Sequence, residues 1–221
     1  MKNRYLVSFL VSAALLLASC ETAAILALNR AKVTDLKVEG DKLYVMDLLN
    51  SKTFGQMQEI ISTNPQVDTL VFTAMPGSID DEVTFKMGRW IRSKELNTHL
   101  TAQSVIASGA VDLFVSGVER TMEDGAKIGV HSWDDGSKEA ADFPRDSKEH
   151  DLNKDYIVAM NVPVEFYWFT IYEAPADAIH WMSNAEINKY KLLTAPIMDA
   201  DTSQDIPFAD FAENRKEVLE E

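Results

Sequence analysis

The feature that most constrains this chain is the run from Val67 to Ala74, which breaks into Met75-Pro76-Gly77-Ser78 and resumes as a helical pattern. A run this apolar belongs inside a parallel sheet covered on both faces, since a strand with one wet face alternates apolar and polar residues. The segment after the turn is then a crossover helix, with Val83, Met87, Trp90 and Ile91 on a buried face and Arg89 and Arg92 on an exposed one. It opens on Asp80, Asp81 and Glu82. Acids are favourable beside the positive end of a helix, which accounts for all three, whereas turned inward they would oppose an oxyanion. Ligand crevices of α/β sheets lie at the carboxyl ends of the strands, and main-chain N–H groups at such a turn can hold an oxyanion.

A second strand-to-helix reversal follows. Thr98 to Thr101 leads as a strand into Ile106-Ala107-Ser108-Gly109-Ala110, and Ala110, Val111, Phe114 and Val115 continue as an apolar helical pattern. A serine in so small a setting suits a nucleophile at the turn into a helix. The run Ile128-Gly129-Val130 then closes on His131, a base placed one strand and one turn further on. Each residue alone has a plainer reading: Ser108 as the small residue of a tight helix start, and His131 as a hydrogen-bonded core histidine.

Around these turns the pattern predicts a hairpin, Leu36–Val38 and Leu43–Leu48 about Glu39-Gly40-Asp41, and a helix from Thr53 to Ser62 ended by Asn64-Pro65. Beyond His131 the polar stretch from Asp134 to Asp146 reads as a solvated surface loop. A helical pattern from about Ser147 to Tyr172 should be kinked or split at Pro163, and its aromatic group Phe166-Tyr167-Trp168-Phe169 belongs to the core or to a subunit interface. Ser183-Asn184-Ala185-Glu186 is a capping box that starts a further helix.

The ends of the chain carry a different message. Lys2 and Arg4 precede an apolar run from Tyr5 to Leu17, too short to span a membrane comfortably but suited to a secretory leader. It ends in Leu17-Ala18-Ser19-Cys20, which resembles a bacterial lipobox. That signal implies cleavage before Cys20 and acylation of its thiol and amine, and several acyl chains at about 0.8 kcal/mol per buried methylene make a lasting anchor. Glu21, where inner-membrane retention is associated with aspartate, points to the outer membrane facing the periplasm. The expected division is a signal peptide over 1–19, a lipid-anchored tether over 20–35, one α/β domain over 36–195 and an acidic tail over 196–221.

Several functions are excluded or disfavoured. A net charge of −14 argues against a nucleic-acid surface, and one cysteine excludes an internal disulfide. His99, His131, His150 and His180 lack metal-ligand spacing, and no Walker-type phosphate loop is present. Asp199 to Asp210 spaces its oxygens like a calcium loop but lacks the glycine and the closing glutamate. No metal or cofactor is expected.

The order strand, Pro-Gly turn, helix, strand, serine turn, strand, histidine resembles the Clp peptidase and crotonase superfamily, most closely its envelope Clp-like branch, over roughly Val38 to Thr194. The resemblance implies a spiral of β-β-α units around a mainly parallel sheet, with a closing strand over Lys191–Thr194 and with the stretch Asp134–Asp146 near the substrate cleft as a lid, the alternative to a solvated loop. It implies Ser108 as nucleophile, His131 as base, the N–H groups of Ser78 and Gly109 as oxyanion donors, a peptide or acyl substrate, and self-association. Two departures stand out: Ser78 replaces a second glycine, at a steric cost if its φ must be positive, and Ile179 falls where the orienting aspartate is usual, leaving Asp177 as the nearest acid. A lipid-anchored scaffold of the same fold is the competing reading. An acyl-thioester enzyme is disfavoured, because that cofactor is not expected outside the cytoplasm.

Overall fold

A computed structural model describes residues 33–197. The leader, Cys20, most of the tether, the acidic tail and the calcium-like stretch lie outside the described residues.

The hairpin is formed by β1 (Asp35–Glu39) and β2 (Lys42–Met46), paired antiparallel, with Gly40 at φ 62 in the turn. The described residues begin inside the expected tether: Thr34 is buried, its hydroxyl donating to the Leu48 carbonyl at 2.7 Å. Helix α1 (Ser51–Thr63) is capped by Asn50, whose side chain accepts from the Lys52 and Thr53 N–H groups, and it ends at Asn64 as Asn64-Pro65 predicts. The constraining run becomes β3 (Thr69–Met75), in which only Thr69 and Thr73 keep exposed surface. Its crossover helix α2 (Asp81–Ser93) is capped by Asp80 and buries Phe85, Met87 and Ile91.

Strand β4 (Asn97–Ala107) organises the sheet, because its two halves have different neighbours. Thr98–Leu100 pairs with β5 (Arg120–Met122), and Val105–Ala107 pairs with β6 (Lys127–Val130). Between the halves the register against β3 slips: Phe72 faces Leu100, but Ala74 faces Val105. The buried Ser104 hydroxyl bridges the slip, donating to the Phe72 carbonyl at 2.6 Å and accepting the Thr101 N–H at 2.9 Å, so the backbone groups freed by the irregularity stay satisfied. The sheet runs β1-β2-β3-β4-β6-β7, with β7 (His180–Trp181) antiparallel on β6 and the pairs from β2 through β6 parallel. The expected mixed α/β fold with a mainly parallel sheet is observed.

The remaining helices are α3 (Gly109–Phe114), α4 (Asp151–Ala159), α5 (Val164–Glu173) and α6 (Asn184–Lys189). Pro163 separates α4 from α5, since proline cannot continue a helix through its missing N–H and ring. Phe166 and Tyr167 belong to the core, while Trp168 and Phe169 are only partly buried. Ser183 and Glu186 form the expected capping box.

Two expectations need correction. Arg92 is only half exposed, because its guanidinium donates to the Ser116 and Gly117 carbonyls just beyond α3. Lys191–Thr194 is not a strand: Lys191 adopts φ 54, and the Lys191 and Leu192 carbonyls accept from the buried Arg120 guanidinium instead of entering a ladder. Among the described residues no helix is long and apolar enough to cross a membrane.

Candidate active site

The reversal from β4 into α3 is made on a single residue. The Ser108 N–H still donates to the Gly129 carbonyl of β6 at 3.1 Å, and its own carbonyl already accepts the Val111 N–H of the helix at 2.8 Å. Ser108 therefore takes φ 55 and ψ −133, outside the regions open to most side chains. Such a conformation costs on the order of 1–3 kcal/mol and persists only where surrounding packing enforces it, typically at functional sites. Its hydroxyl is not used to cap α3 and makes no hydrogen bond among the described residues.

The Pro76-Gly77-Ser78 turn supplies that packing. A Cβ at Gly77, which sits at φ 137, would lie 2.9 Å from the Ser108 Cβ, so only glycine meets both the angle and the space. Ser78 is not among the positive-φ residues; Gly77 takes the awkward angle, and the steric cost anticipated for Ser78 does not arise. The reciprocal contact is as close. A Cβ at Gly109 would stand 2.3 Å from the Ser78 Oγ, 2.7 Å from its Cβ and 3.1 Å from its main-chain nitrogen. Ser78 and Gly109 are thus brought together with the nucleophile candidate between their turns. Gly109→Ala is expected to destabilise the fold by about 1–3 kcal/mol, measured by chemical denaturation, because the Ser78 backbone would have to move.

His131 follows β6 directly and lines the same cavity as Ser108 and Gly109. Its Nδ1 lies 2.7 Å from the Ser132 carbonyl oxygen. A carbonyl only accepts, so Nδ1 carries the proton and Nε2 keeps its lone pair free in the neutral ring. Burial holds the ring below its ordinary value of 6.5, against weaker opposing effects of that hydrogen bond and of the Asp81 and Glu139 charges. The orienting group is a main-chain carbonyl. Asp177 lies exposed in the segment before β7 and makes no hydrogen bond with the ring; Ile179 packs against Gly129.

Two acids face the cavity. Asp81, at its rim, accepts the Ser78 hydroxyl at 3.0 Å; burial raises its pKa although that hydrogen bond works the other way. Asp112 has no side-chain hydrogen bond among the described residues, and burial with Asp81 beside it pushes its carboxyl up to about 8. Only its main-chain carbonyl is engaged, accepting the Tyr156 hydroxyl at 2.6 Å. Sequence reasoning passed over Asp112, yet a signal exists: it is the one charge in the run Gly109–Val115.

The segment after His131 is tied down. His150, fully buried, donates from Nε2 to the Pro144 carbonyl at 3.1 Å and accepts the Tyr167 hydroxyl on Nδ1, and the Tyr167 hydroxyl oxygen in turn accepts the Trp133 indole N–H at 3.1 Å. Phe143 packs on Trp133 and His150, so the loop is anchored beside the cavity it borders. Away from this site, Glu173, His180 and Glu186 bring ligand-type atoms within 4.8 Å of one another. Glu186 is already employed there, accepting from His180 and from the Ser183 N–H and hydroxyl as a helix cap.

No family model matches the chain, and no curated protein does. Among solved structures the fold is similar to that of a mutant of the 1510-N membrane-bound stomatin-specific protease, at 13% identity and a TM-score of 0.49 over 70% of this chain and 78% of that one. It is also similar to the ClpP protease catalytic domain from Plasmodium falciparum, at 17% identity and a TM-score of 0.47 over 71% and 84%. Human enoyl Coenzyme A hydratase domain-containing protein 3 is similar at 10% identity and a TM-score of 0.47 over 86% and 76%.

Proposed function

We propose that this chain is an exported, lipid-anchored serine hydrolase that cleaves peptide or other acyl bonds by acyl transfer. The observation that carries the reading is Ser108, held at φ 55 and ψ −133 with a free hydroxyl, in one cavity with an imidazole whose Nδ1 is engaged and whose Nε2 is not. In the reaction, Nε2 of His131 takes the Ser108 proton as Oγ bonds to the acyl carbon. The bond to the leaving group then breaks, and His131 returns the proton to that group. The tetrahedral oxygen is held by the Ser78 and Gly109 N–H groups, and a water deprotonated by His131 then hydrolyses the acyl-enzyme. A neutral carbonyl stabilises the imidazolium less than a carboxylate does, since hydrogen bonds to ionised partners are roughly twice as strong. The enzyme is therefore a slow one. Ionised Asp81 opposes the oxyanion if its carboxylate turns inward, and its acceptance of the Ser78 hydroxyl holds it at the rim.

Lipid anchoring through Cys20, behind Leu17-Ala18-Ser19, supports an address in the bacterial envelope, on the outer membrane facing the periplasm. Leu152, Val158 and Tyr172 leave large apolar side chains exposed, which suits association between copies. A scaffold function is favoured by one observation: no hydrogen bond joins the Ser108 hydroxyl to His131 among the described residues.

A fluorophosphonate probe separates the two. The folded wild-type chain is expected to react and Ser108→Ala to lose the reaction; equal inertness of both, with the fold intact, makes the chain a scaffold. The pH profile of labelling has a definite sign. The ring is a base only when neutral, and burial lowers its pKa, so the rate should be full at neutral pH and fall only below 6.5. A rate still climbing through about 8 would assign control to Asp112 instead.

A further inference from the structure

The cavity beside Ser108 has an unusual lining for a site that must stabilise an anion. Asp81 and Asp112 both face it, no lysine or arginine among the described residues does, and Trp133, Phe166 and Tyr167 contribute aromatic surface. Asp112 lines the cavity, and neither of its carboxyl oxygens is hydrogen-bonded within the described chain. It projects from α3 three residues after Gly109, so a group bound to it is held one helical turn from the oxyanion donors. Aromatic faces with a carboxylate at one end bind organic cations through ring quadrupole and charge together. The same lining repels anionic substrates and leaves a neutral side chain facing an unpaired acid.

We infer that Asp112, assisted by Asp81 at the rim, is the specificity determinant of this cavity and selects substrates carrying an ammonium or guanidinium group next to the bond attacked by Ser108. The assignment of substrate class rests on the hydrolase reading; the cation preference of the cavity does not, and it can be measured without turnover. The net charge of −14 draws the same class of ligand toward the molecule.

Binding also has a proton signature. In the free protein Asp112 is largely protonated at neutral pH, so a bound cation must displace that proton. The titratable groups facing it are Asp81 from α2, His131 beyond β6, Tyr156 from α4 and Tyr167 from α5. Tyr167 is pushed up to about 12, Tyr156 is also raised, and His131 is neutral above 6.5, which leaves Asp112 to account for a proton released near 8.

The test is calorimetric titration of the full-length wild-type chain with benzamidinium, benzamide and benzoate. Benzamidinium should bind at least about tenfold more tightly than benzamide at about pH 9 and benzoate should not bind; lowering the pH to about 6.5 should weaken benzamidinium about tenfold or more, with proton release seen as buffer-dependent heat. Asp112→Asn should erase the preference for the cation, while Glu82→Gln, which removes an exposed acid of α2, should leave it intact. Equal affinity for benzamidinium and benzamide in the wild type overturns the inference without reference to any variant, as does an unchanged preference in folded Asp112→Asn. Benzamidinium binding by a chain inert to fluorophosphonate would uphold the cation site and overturn only the hydrolase reading.

Discussion

Replacing His131 with alanine is expected to slow the phosphonylation of Ser108 by about two to four orders of magnitude, the range that a positioned general base contributes. The expectation follows from the ring's tautomer. With the Ser132 carbonyl accepting from Nδ1, Nε2 is the only ring atom able to take a proton, and among the described residues no other base except the two acids lines the cavity. Asp177→Asn should change the rate by no more than about twofold, because that carboxylate is exposed and makes no bond to the ring. Labelling rates of the three proteins at neutral pH check both statements. A large loss in Asp177→Asn would mean that the segment before β7 closes on His131 when the probe reacts.

The second large effect concerns stability. Tyr156 is fully buried, stacks on Phe85 at 4.4 Å between centroids, and donates to the main-chain carbonyl of Asp112, so it fixes α4 to both α2 and α3. Tyr156→Ala removes that ring from a packed interior and leaves the carbonyl without its partner, a loss of about 3–5 kcal/mol. Set against the 5–15 kcal/mol typical of a whole domain, this is enough to unfold a sizeable fraction of the molecules near body temperature. Tyr156→Phe keeps the stacking and should lose only about 1 kcal/mol. Denaturant titration of both variants checks the ranking. A smaller loss in the alanine variant than in the phenylalanine one would contradict the packing of α4.

The origin of these expectations shows what a sequence can disclose. β3 was legible because eight residues with so few polar interruptions fit only a strand covered on both faces, and α2 because its apolar residues recur at helical spacing. Pro163 and the Ser183–Glu186 box marked helix ends through chemistry written in the residues themselves. Arg92 was misread because helical spacing places it outside α2 but carries no knowledge of the carbonyls at the end of α3. The same blindness hid the state of Lys191–Thr194, whose carbonyls serve an arginine some 70 residues earlier, as Arg120 to Lys191 spans 71.

The site divided along the same line. Small residues around Ser108 announced a tight reversal, and the positive φ is its consequence. The hydrogen-bond partner of His131 could not be anticipated, since a main-chain carbonyl has no residue type and any orienting group sought in the sequence will be a side chain. Asp112 was overlooked for a different reason. An isolated acid in an apolar helix reads as a solvated position, whereas every other residue of α3 is buried and Asp112 lines the cavity.

Peptide mapping of the phosphonylated protein tests the central claim most directly, because it asks which oxygen in the folded chain behaves as a nucleophile. One adduct per chain, located on Ser108 and abolished by unfolding before exposure to the probe, is the predicted result. An adduct on any other residue, or equal labelling of the unfolded chain, would contradict a site assembled by the β4 reversal, the Pro76-Gly77-Ser78 turn and His131.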